Sequence, residues 1–369
     1  MTSTHAFEAD WYSPPGRTIQ DVLHHRRINP EDFASRMGIT SDDLGDLFDG
    51  VAEITADLAE RLSVVLGSTS RFWLTREEQY RADVSRLTQA ASDDDKAWVR
   101  ALPVADMVRF GWIEHVKSLS EKIAACLQFF GVSSTRQWHG TAEVSAAFRT
   151  SPTFKSQPAA VAVWLRQGEI QAAAVNCAPW DRKRFAALLP TLRSLTRKKD
   201  PKTFIAELTG KCAECGVAVV VVRAPKGCHA SGATRFLTPH KAVLMLSFRH
   251  LSEDQFWFTF FHEAGHLILH SSESLFVEWE QSHASKEESE ANDFAGNTLV
   301  PVESQPAMLA LPARAKAIIR FAHKVGVSPG IIVGQLQHRG RLKRDQFNRL
   351  KRWFEWTDRG EVSLSLGTS

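Results

Sequence analysis

Apolar residues recur at helical spacing through residues 16–86, and short polar or glycine-containing segments separate the repeats. This pattern predicts five helices in the N-terminal part of the chain. Their predicted ranges are 17–27, 30–37, 41–48, 55–66 and 70–86. Inside this region, Phe33–Thr40 contains an alanine, a glycine at the turn and a following apolar residue, which is the pattern of a helix-turn-helix.

The pattern changes after residue 89. A polar segment with three consecutive aspartates, Ala90–Lys96, predicts a linker. Residues 97–145 then predict mainly helices, with ranges of 107–112, 119–130 and 135–148. The runs Ala159–Arg166 and Glu169–Asn176 are joined by Gln167-Gly168 and predict a β-hairpin.

Helices are predicted near 181–195 and 202–215, and strands follow at 217–223, 231–236 and 242–248. We expect a small mixed sheet with the strand 231–236 at its edge. An extended peptide could add there as one more strand; a purely structural edge strand is the alternative.

The segment 254–269 is apolar nearly all round and predicts a buried helix, which His262, Glu263 and His266 interrupt. Two histidines four residues apart project from one helix face, so both can reach one zinc ion. The glutamate between them can take a proton from water at that metal. Because buried polar side chains need partners, metal ligation is favoured over a pair of core histidines.

A catalytic zinc needs a third protein ligand. His270 follows His266 by four residues, but on an unbroken helix it lies about 12 Å from His262, too far to share the ion. The segment from Lys286, closed by Pro301, predicts a second helix with a buried apolar stripe. The stripe is formed by Ala291, Phe294, Ala295, Thr298 and Leu299.

Glu288 lies on the inward side of that second helix and is predicted as the third ligand, which gives a His-His-Glu site. His283 is a competing ligand. Asn292, one turn after Glu288, is predicted to hold His262 or His266 by a hydrogen bond.

The pattern H-E-x-x-H-x-x-x-H at 262–270, followed by E-x-E-A-N-x-F-A from Glu288 and by L-V-P at 299–301, resembles the ImmA/IrrE metallopeptidases. The resemblance covers roughly residues 155–305. It implies that His262, His266 and Glu288 bind zinc and that Glu263 is the catalytic base. The departures are Ala264-Gly265 inside the motif and Asn292, where aspartate is also common.

Bacterial and phage members of that family cleave helix-turn-helix repressors, so the resemblance implies a repressor or antitoxin as protein substrate. The segment 54–67 resembles the fourth helix of Xre-type, HigA-like antitoxins, and Phe72-Trp73-Leu74 with Gln79-Tyr80 is similar to their tail. The implied fold is α+β and predominantly helical. Its parts are a five-helix helix-turn-helix domain (1–88), a helical bridge (89–154), a gluzincin-type zincin domain (155–305) and a helical C-terminal segment (306–369).

The charge of the N-terminal module argues against DNA as its partner. The predicted recognition helix, Thr40–Phe48, carries Asp42, Asp43 and Asp46 and no basic residue. Residues 1–86 contain nine Lys and Arg against 15 Asp and Glu, a net charge of −6. Because DNA binding depends on neutralising phosphates, protein interaction, dimerisation or substrate mimicry is the favoured interpretation.

The opposite charge occurs near the C-terminus. His338–Arg352 contains seven Lys and Arg and one Asp, after helices predicted at 315–325 and 330–337. A solvated amphipathic helix is the favoured interpretation. The alternative is a surface for nucleic acid or an acidic partner. If that partner is the acidic N-terminal module, the arrangement would be autoinhibited or homodimeric.

Composition places the chain in a broad class. In this chain of 369 residues, no apolar run is as long as 18 residues, and the N-terminus has no signal-peptide pattern. A soluble cytoplasmic protein is therefore predicted. The five cysteines are odd in number and irregularly spaced, which is typical of reduced thiols. Cys212-x-x-Cys215 with Cys228 is similar to half a zinc knuckle, but no second cysteine pair exists, so a structural role for these cysteines is favoured.

Two functions from different classes fit these patterns. The first is a regulatory zinc endopeptidase in a stress, prophage or toxin–antitoxin switch. It would need an oxyanion donor, and because both tyrosines lie in the N-terminal module, Arg235, His250 and His283 are the candidates. The second is a DNA-binding regulator whose zincin domain acts as a sensor or scaffold.

Overall fold

The computed structural model describes residues 14–48, 50–89, 92–116, 118–139, 157–270, 276–278, 286–357 and 360–365, with the backbone alone for 83–89 and 276–278. The chain divides into two compact units, Met1–Ser145 and Ala146–Ser369. The described helices of the predicted bridge lie in the first unit. The predicted C-terminal segment lies in the second unit, together with the predicted zincin domain.

The first unit begins with the five predicted helices. They are α1 (Pro15–Arg26), α2 (Pro30–Met37), α3 (Ser41–Phe48), α4 (Ala56–Leu66) and α5 (Ser70–Gln89). Local signals define their ends: Asn29 and Thr55 cap α2 and α4 by accepting backbone N–H bonds. Buried apolar side chains from all five helices, including Ile19, Phe33 and Trp73, form one core. The prediction is confirmed to within a few residues at each end.

The α2–α3 pair has helix-turn-helix geometry. Gly38 ends α2 with a left-handed φ of 63°, and the Ile39 N–H donates to the Ala34 carbonyl at 3.1 Å. Before α3, the Thr40 hydroxyl accepts from the Asp43 N–H at 3.1 Å, and the Asp43 carboxylate accepts from the Thr40 N–H at 3.0 Å. The Thr40 hydroxyl also donates to the Asp43 carboxylate at 2.7 Å, and this bond, followed by the bond from the Thr40 N–H, lowers the pKa of Asp43. One acid on the recognition helix therefore stabilises the start of that helix.

The predicted linker at 90–96 is wrong in its described part, because a helix begins at Asp93. Ser92 and Asp95 form a capping box, and the three consecutive aspartates occupy the first turn, where the helix dipole favours negative charge. The unit continues with α6 (Asp93–Ala101), α7 (Val104–Arg109), α8 (Leu119–Phe130) and α9 (Thr135–His139). The rest of the helix predicted to residue 148 lies outside the described residues.

The second unit is built around a four-stranded mixed sheet. Its strands are β1 (Val217–Val221), β2 (Gly232–Thr238), β3 (Lys241–Leu246) and β4 (Phe276–Glu278), in the order β1-β3-β2-β4. The β1–β3 pair is parallel, and β2 pairs antiparallel with both β3 and β4. Three of these strands lie where the hydrophobic pattern predicts them.

The predicted edge position of the strand 231–236 is wrong. That strand, β2, lies between β3 and β4, and the short strand β4 forms the edge instead. A three-residue strand within a long connection has too few residues to give a period-two pattern. The sequence therefore gives no sign of the strand that covers β2.

The hairpin predicted at 159–176 is also wrong, because these residues form one helix, α10 (Pro158–Ala174). Pro158 occupies the first turn, where its missing N–H costs nothing. The helix is buried over most of its length, so its continuous apolar run imitates two strands. Gly168 is not a turn residue. A Cβ at Gly168 would meet the Met245 side chain at 2.0 Å, so glycine permits close packing of α10 on the sheet.

The described residues of the second unit also form seven further α-helices. They are α11 (Arg182–Leu192), α12 (Pro201–Ala213), α13 (Glu253–Leu269), α14 (Lys286–Leu299), α15 (Gln305–Leu309), α16 (Ala315–Val325) and α17 (Pro329–His338). Among the described residues, no single helix is long and apolar enough to cross a membrane. The helices α16 and α17 pass that test only as a pair, bent by 108°.

The helix predicted over the basic stretch 338–352 is wrong. After α17 the chain turns at Gly340, makes one 3₁₀ turn at Asn348–Leu350 and enters the hairpin β5 (Phe354–Trp356) and β6 (Val362–Leu364). Two basic residues of the stretch are partly buried and paired with acids. Lys351 Nζ lies 2.6 Å from the buried Asp254 carboxylate, and the Arg352 guanidinium lies 3.1 Å from the buried Glu253 carboxylate.

Candidate metal centre

Helix α13 places the three polar residues of its H-E-x-x-H motif in the interior of the second unit. His262 and His266 are each 1% exposed and Glu263 is 0% exposed. The residue before His266 is a glycine for a steric reason. A Cβ at Gly265 would lie 3.1 Å from Phe294 and 3.4 Å from the Ala291 backbone, so glycine lets α14 pack closely here.

The close packing of α13 and α14 brings three ligand-type side chains together. The Nε2 atoms of His262 and His266 are 3.0 Å apart. The Glu288 carboxylate oxygens lie 3.3 Å from His262 Nε2 and 3.5 Å from His266 Nε2. Ligand atoms about 2.0–2.1 Å from one tetrahedral zinc are separated by about 3.3 Å, so the two imidazoles and the Glu288 carboxylate can share a zinc ion. Two imidazoles and one carboxylate also match the donors that zinc prefers.

The partner of His262 fixes the orientation of its ring. Asn292 Oδ1 lies 3.1 Å from His262 Nδ1. Because an amide oxygen can only accept, His262 Nδ1 carries the proton and Nε2 keeps its lone pair toward the cluster. The structure thus places Asn292 where the sequence predicted a side chain that holds a histidine ligand.

His266 has a different partner. Its Nδ1 lies 2.9 Å from His270 Nδ1, and His270 Nε2 lies 3.2 Å from a Glu290 carboxylate oxygen. Burial, followed by the neighbouring His262 and His270, lowers the pKa of His266 to about 2. His266 is therefore neutral at physiological pH, which is the form that binds a metal.

The side chain of Glu263 fills a space left by a glycine on β2. A Cβ at Gly232 would lie 2.6 Å from Glu263 Oε1 and 2.6 Å from Thr259 Cγ2. Any larger residue at this position would displace the glutamate. Gly232 is not among the site residues predicted from the sequence, although a glycine inside a strand pattern often marks a close approach.

The structure does not place Arg235 beside the metal cluster. Gly232 faces α13, so by strand alternation Arg235 points to the other face of the sheet. There its guanidinium lies 2.9 Å from the Glu169 carboxylate of α10. Arg235 is therefore not supported as an oxyanion donor.

The other two candidate donors differ in position. His250 lies in the connection between β3 and α13 and lines a cavity with Ser231 and Thr259. His283 lies outside the described residues. A role for either residue stays a prediction.

The cysteines do not contribute to the metal cluster of the described residues. All five are free thiols, and four of them are buried. Burial raises the pKa of Cys228 to about 12 and raises the pKa of Cys212 as well. Such thiols are inert at neutral pH, in keeping with a structural interpretation of the C-x-x-C segment.

Comparisons with known proteins match the two units separately. Residues 216–337 match the peptidase M78 family, described as the IrrE N-terminal-like domain. This range runs from β1 to α17 and contains His262, Glu263, His266 and Glu288. The N-terminal region is similar to YddM, an uncharacterized HTH-type transcriptional regulator of Escherichia coli (strain K12). The two are 35% identical over 80 residues, which are 20% of this chain and 85% of YddM.

Proposed function

Because the chain belongs to the family in which an HTH-type regulator domain is joined to an ImmA/IrrE-type domain, we propose that it is a zinc-dependent regulatory endopeptidase. Its proposed substrate is a helix-turn-helix repressor or antitoxin. The family match and the relation to YddM support a regulator with a metallopeptidase-like domain.

One observation carries the proposal. Two histidine Nε2 atoms and the Glu288 carboxylate converge within 3.5 Å of one another, and each histidine has its Nδ1 occupied by a separate partner. Burying three metal-ligating groups side by side costs free energy unless a cation binds them. In this arrangement a zinc ion would retain one position for water or substrate.

The proposed chemistry is hydrolysis of a peptide bond. Bound zinc would supply a Lewis acid that acidifies water and polarises the scissile carbonyl. Glu263 accepts the proton of the attacking water and delivers it to the leaving amine. Gly232 and Thr259 border Glu263 and limit the positions that its carboxylate can take.

The first unit supports a regulatory rather than a digestive role. It has the HTH fold and is related to a transcriptional regulator. Its α3 exposes Asp42, Asp43 and Asp46, which would repel DNA phosphates. We therefore assign this unit to recognition of a protein partner.

The function is tested in cells of the source organism by replacing Glu263 with Gln. We expect N-terminal labelling and mass spectrometry to find a new protein end in an HTH-type protein with the wild-type chain, but not with Glu263→Gln. The zinc content of the two purified proteins should be the same, because Glu263 is not a ligand. Glu303→Gln, at an exposed position, is the matched control.

Cleavage that persists with Glu263→Gln would contradict the proposed role of that residue. If no HTH-type protein is cleaved under any condition in which the wild-type chain alters gene expression, the substrate class is wrong.

The relation to YddM favours a second function, transcriptional regulation by DNA binding. In that case the wild-type chain and Glu263→Gln should protect the same operator fragments at low salt. A search of random duplexes at low salt that recovers no bound sequence would exclude this function.

A further inference from the structure

Three side chains of helix α14 lie at the metal cluster or beside it. Glu288 contributes a carboxylate to the cluster itself. Asn292, one turn later, contacts the outer nitrogen of His262. Glu290 does not contact a cluster histidine in the same way, because His270 lies between Glu290 and His266.

His270 lies on the side of His266 that faces away from the cluster. Its Nδ1 is 2.9 Å from His266 Nδ1, whereas the cluster is formed by Nε2 of His266. His270 is the residue at which α13 ends, with extended backbone angles (φ −111°, ψ 174°). Its side chain is only 7% exposed. The end of the helix therefore directs this ring back against His266.

The hydrogen bonds determine which nitrogen carries each proton. A carboxylate only accepts, so His270 Nε2 carries a proton and donates it to Glu290. In the His270 tautomer that carries this single proton, Nδ1 is the acceptor, and His266 Nδ1 is then the donor. As a result, Nε2 of His266 bears the lone pair that faces the cluster.

We propose that His270 and Glu290 form a positioning relay for His266. The relay rests on the proposed zinc site. Glu290 fixes the tautomer of His270, and His270 fixes the tautomer and the ring orientation of His266. A carboxylate behind the second ring also makes His266 a more basic ligand than a histidine held by an amide.

The relay predicts an asymmetry between the two histidine ligands. His262 is held by the neutral Asn292 amide, whereas His266 is connected to a negative charge through His270. Substitutions in the relay should therefore weaken metal affinity without removing a ligand.

The test is the Zn²⁺ affinity of the full chain, measured by competition with a chromophoric chelator. We expect His270→Ala to weaken Zn²⁺ binding by about 10–100-fold, the range found when the outer partner of a metal-bound histidine is removed. His270→Asn should recover most of that loss, because its Oδ1 can accept from His266 in place of Nδ1. Glu290→Gln should weaken binding by less than His270→Ala, since the amide oxygen still accepts from His270.

Asp293→Asn is the matched control, because Asp293 is an exposed acid on the same helix. Its Zn²⁺ affinity should equal that of the wild type. The thermal midpoints of the metal-free variants are measured in parallel. If His270→Ala does not fold, His270→Asn and Glu290→Gln provide the comparison.

The outcomes separate the relay from the proposed function. If His270→Ala and Glu290→Gln bind Zn²⁺ as tightly as Asp293→Asn, the relay is wrong and the zinc peptidase is unaffected. If the wild-type chain itself binds no Zn²⁺, the metal site fails and the relay fails with it. If Zn²⁺ affinity falls as expected but no substrate is cleaved, the relay stands and the peptidase function is wrong.

Discussion

At the scale of single residues, the candidate centre depends on a few polar side chains and on the small residues that make space for them. The spacing of His262 and His266 and the helical phase of Glu288 are local properties, and the structure brings all three within 3.5 Å. Gly232 is different. Its importance comes from the 2.6 Å approach of Glu263, which lies 31 positions later in the chain.

Glu253 gives a residue-scale prediction for pH. It is 1% exposed, and burial raises its pKa to about 7, against the opposing effect of Arg352. The folded protein then holds a proton that the unfolded chain releases above its ordinary pKa of 4.5. This group therefore favours the folded state at low pH, and its contribution is lost as the pH rises from 4.5 to about 7.

We expect Glu253→Gln to reduce this pH dependence, because the amide does not titrate. A shift of this size corresponds to a change of roughly 3 kcal/mol in the free energy of unfolding. The measurement is urea unfolding of both proteins at pH 5 and pH 8. If the wild type and Glu253→Gln lose the same stability between pH 5 and pH 8, the assignment of this pH dependence to Glu253 is wrong. Glu303→Gln, at an exposed glutamate, should behave as the wild type.

At the scale of elements, the sequence predicts most helices and three strands of the second unit, but it misplaces elements whose surroundings decide their form. Buried α10 was predicted as a hairpin, because a helix covered on nearly all sides has no polar face to give a period. The basic stretch after α17 was predicted as a helix. It is irregular instead, and at its end Lys351 and Arg352 form ion pairs with the acids at the start of α13.

The carboxylates of Glu253 and Asp254 pack against two glycines of α17, Gly330 and Gly334, which are one helical turn apart. A Cβ at Gly330 would lie 2.0 Å from Glu253 Oε1, and a Cβ at Gly334 would lie 2.6 Å from Asp254 Oδ2. The carboxylate of Glu253 cannot simply move aside, because the Arg352 N–H donates to the same Oε1 atom at 3.1 Å. The start of α13 is therefore held in place by the C-terminal part of the second unit.

We expect Gly330→Ala to destabilise the second unit by about 1–3 kcal/mol, since overpacking a buried contact costs energy in this range. Gly210→Ala is the matched control, because a Cβ there meets nothing within 4 Å. That control should stabilise its helix by about 0.5–1 kcal/mol. Urea unfolding followed by tryptophan fluorescence measures both changes. Stabilisation by Gly330→Ala would show that the contact between Gly330 and Glu253 has room for a methyl group.

At the scale of the whole molecule, an HTH unit and a metallopeptidase-like unit are combined in one chain. All the residues that we assign to zinc lie in the second unit. The acidic surface of α3 lies in the first unit, and the exposed basic residues of 339–349 lie in the second. The two units thus carry opposite charges at particular surfaces.

Zinc should stabilise only the second unit. At a free Zn²⁺ concentration of about 100 times Kd, binding adds about 2.7 kcal/mol to the stability of the unit that holds the ion. We expect hydrogen exchange to slow in α13 and α14 and to stay unchanged in α1–α5. Exchange measured by mass spectrometry with zinc and with a chelator provides the comparison. Equal slowing in α1–α5 would contradict a metal effect confined to the second unit.

By itself, the sequence determined the features that depend on local periodicity. These are the five N-terminal helices, the H-E-x-x-H face of α13 and the inward phase of Glu288, because helical geometry fixes which neighbours share a face. Only the tertiary structure decided which strand forms the sheet edge, which face Arg235 occupies, and how His270 and Glu290 support His266. Those features depend on contacts between segments that are distant in the chain, and no local pattern encodes such contacts.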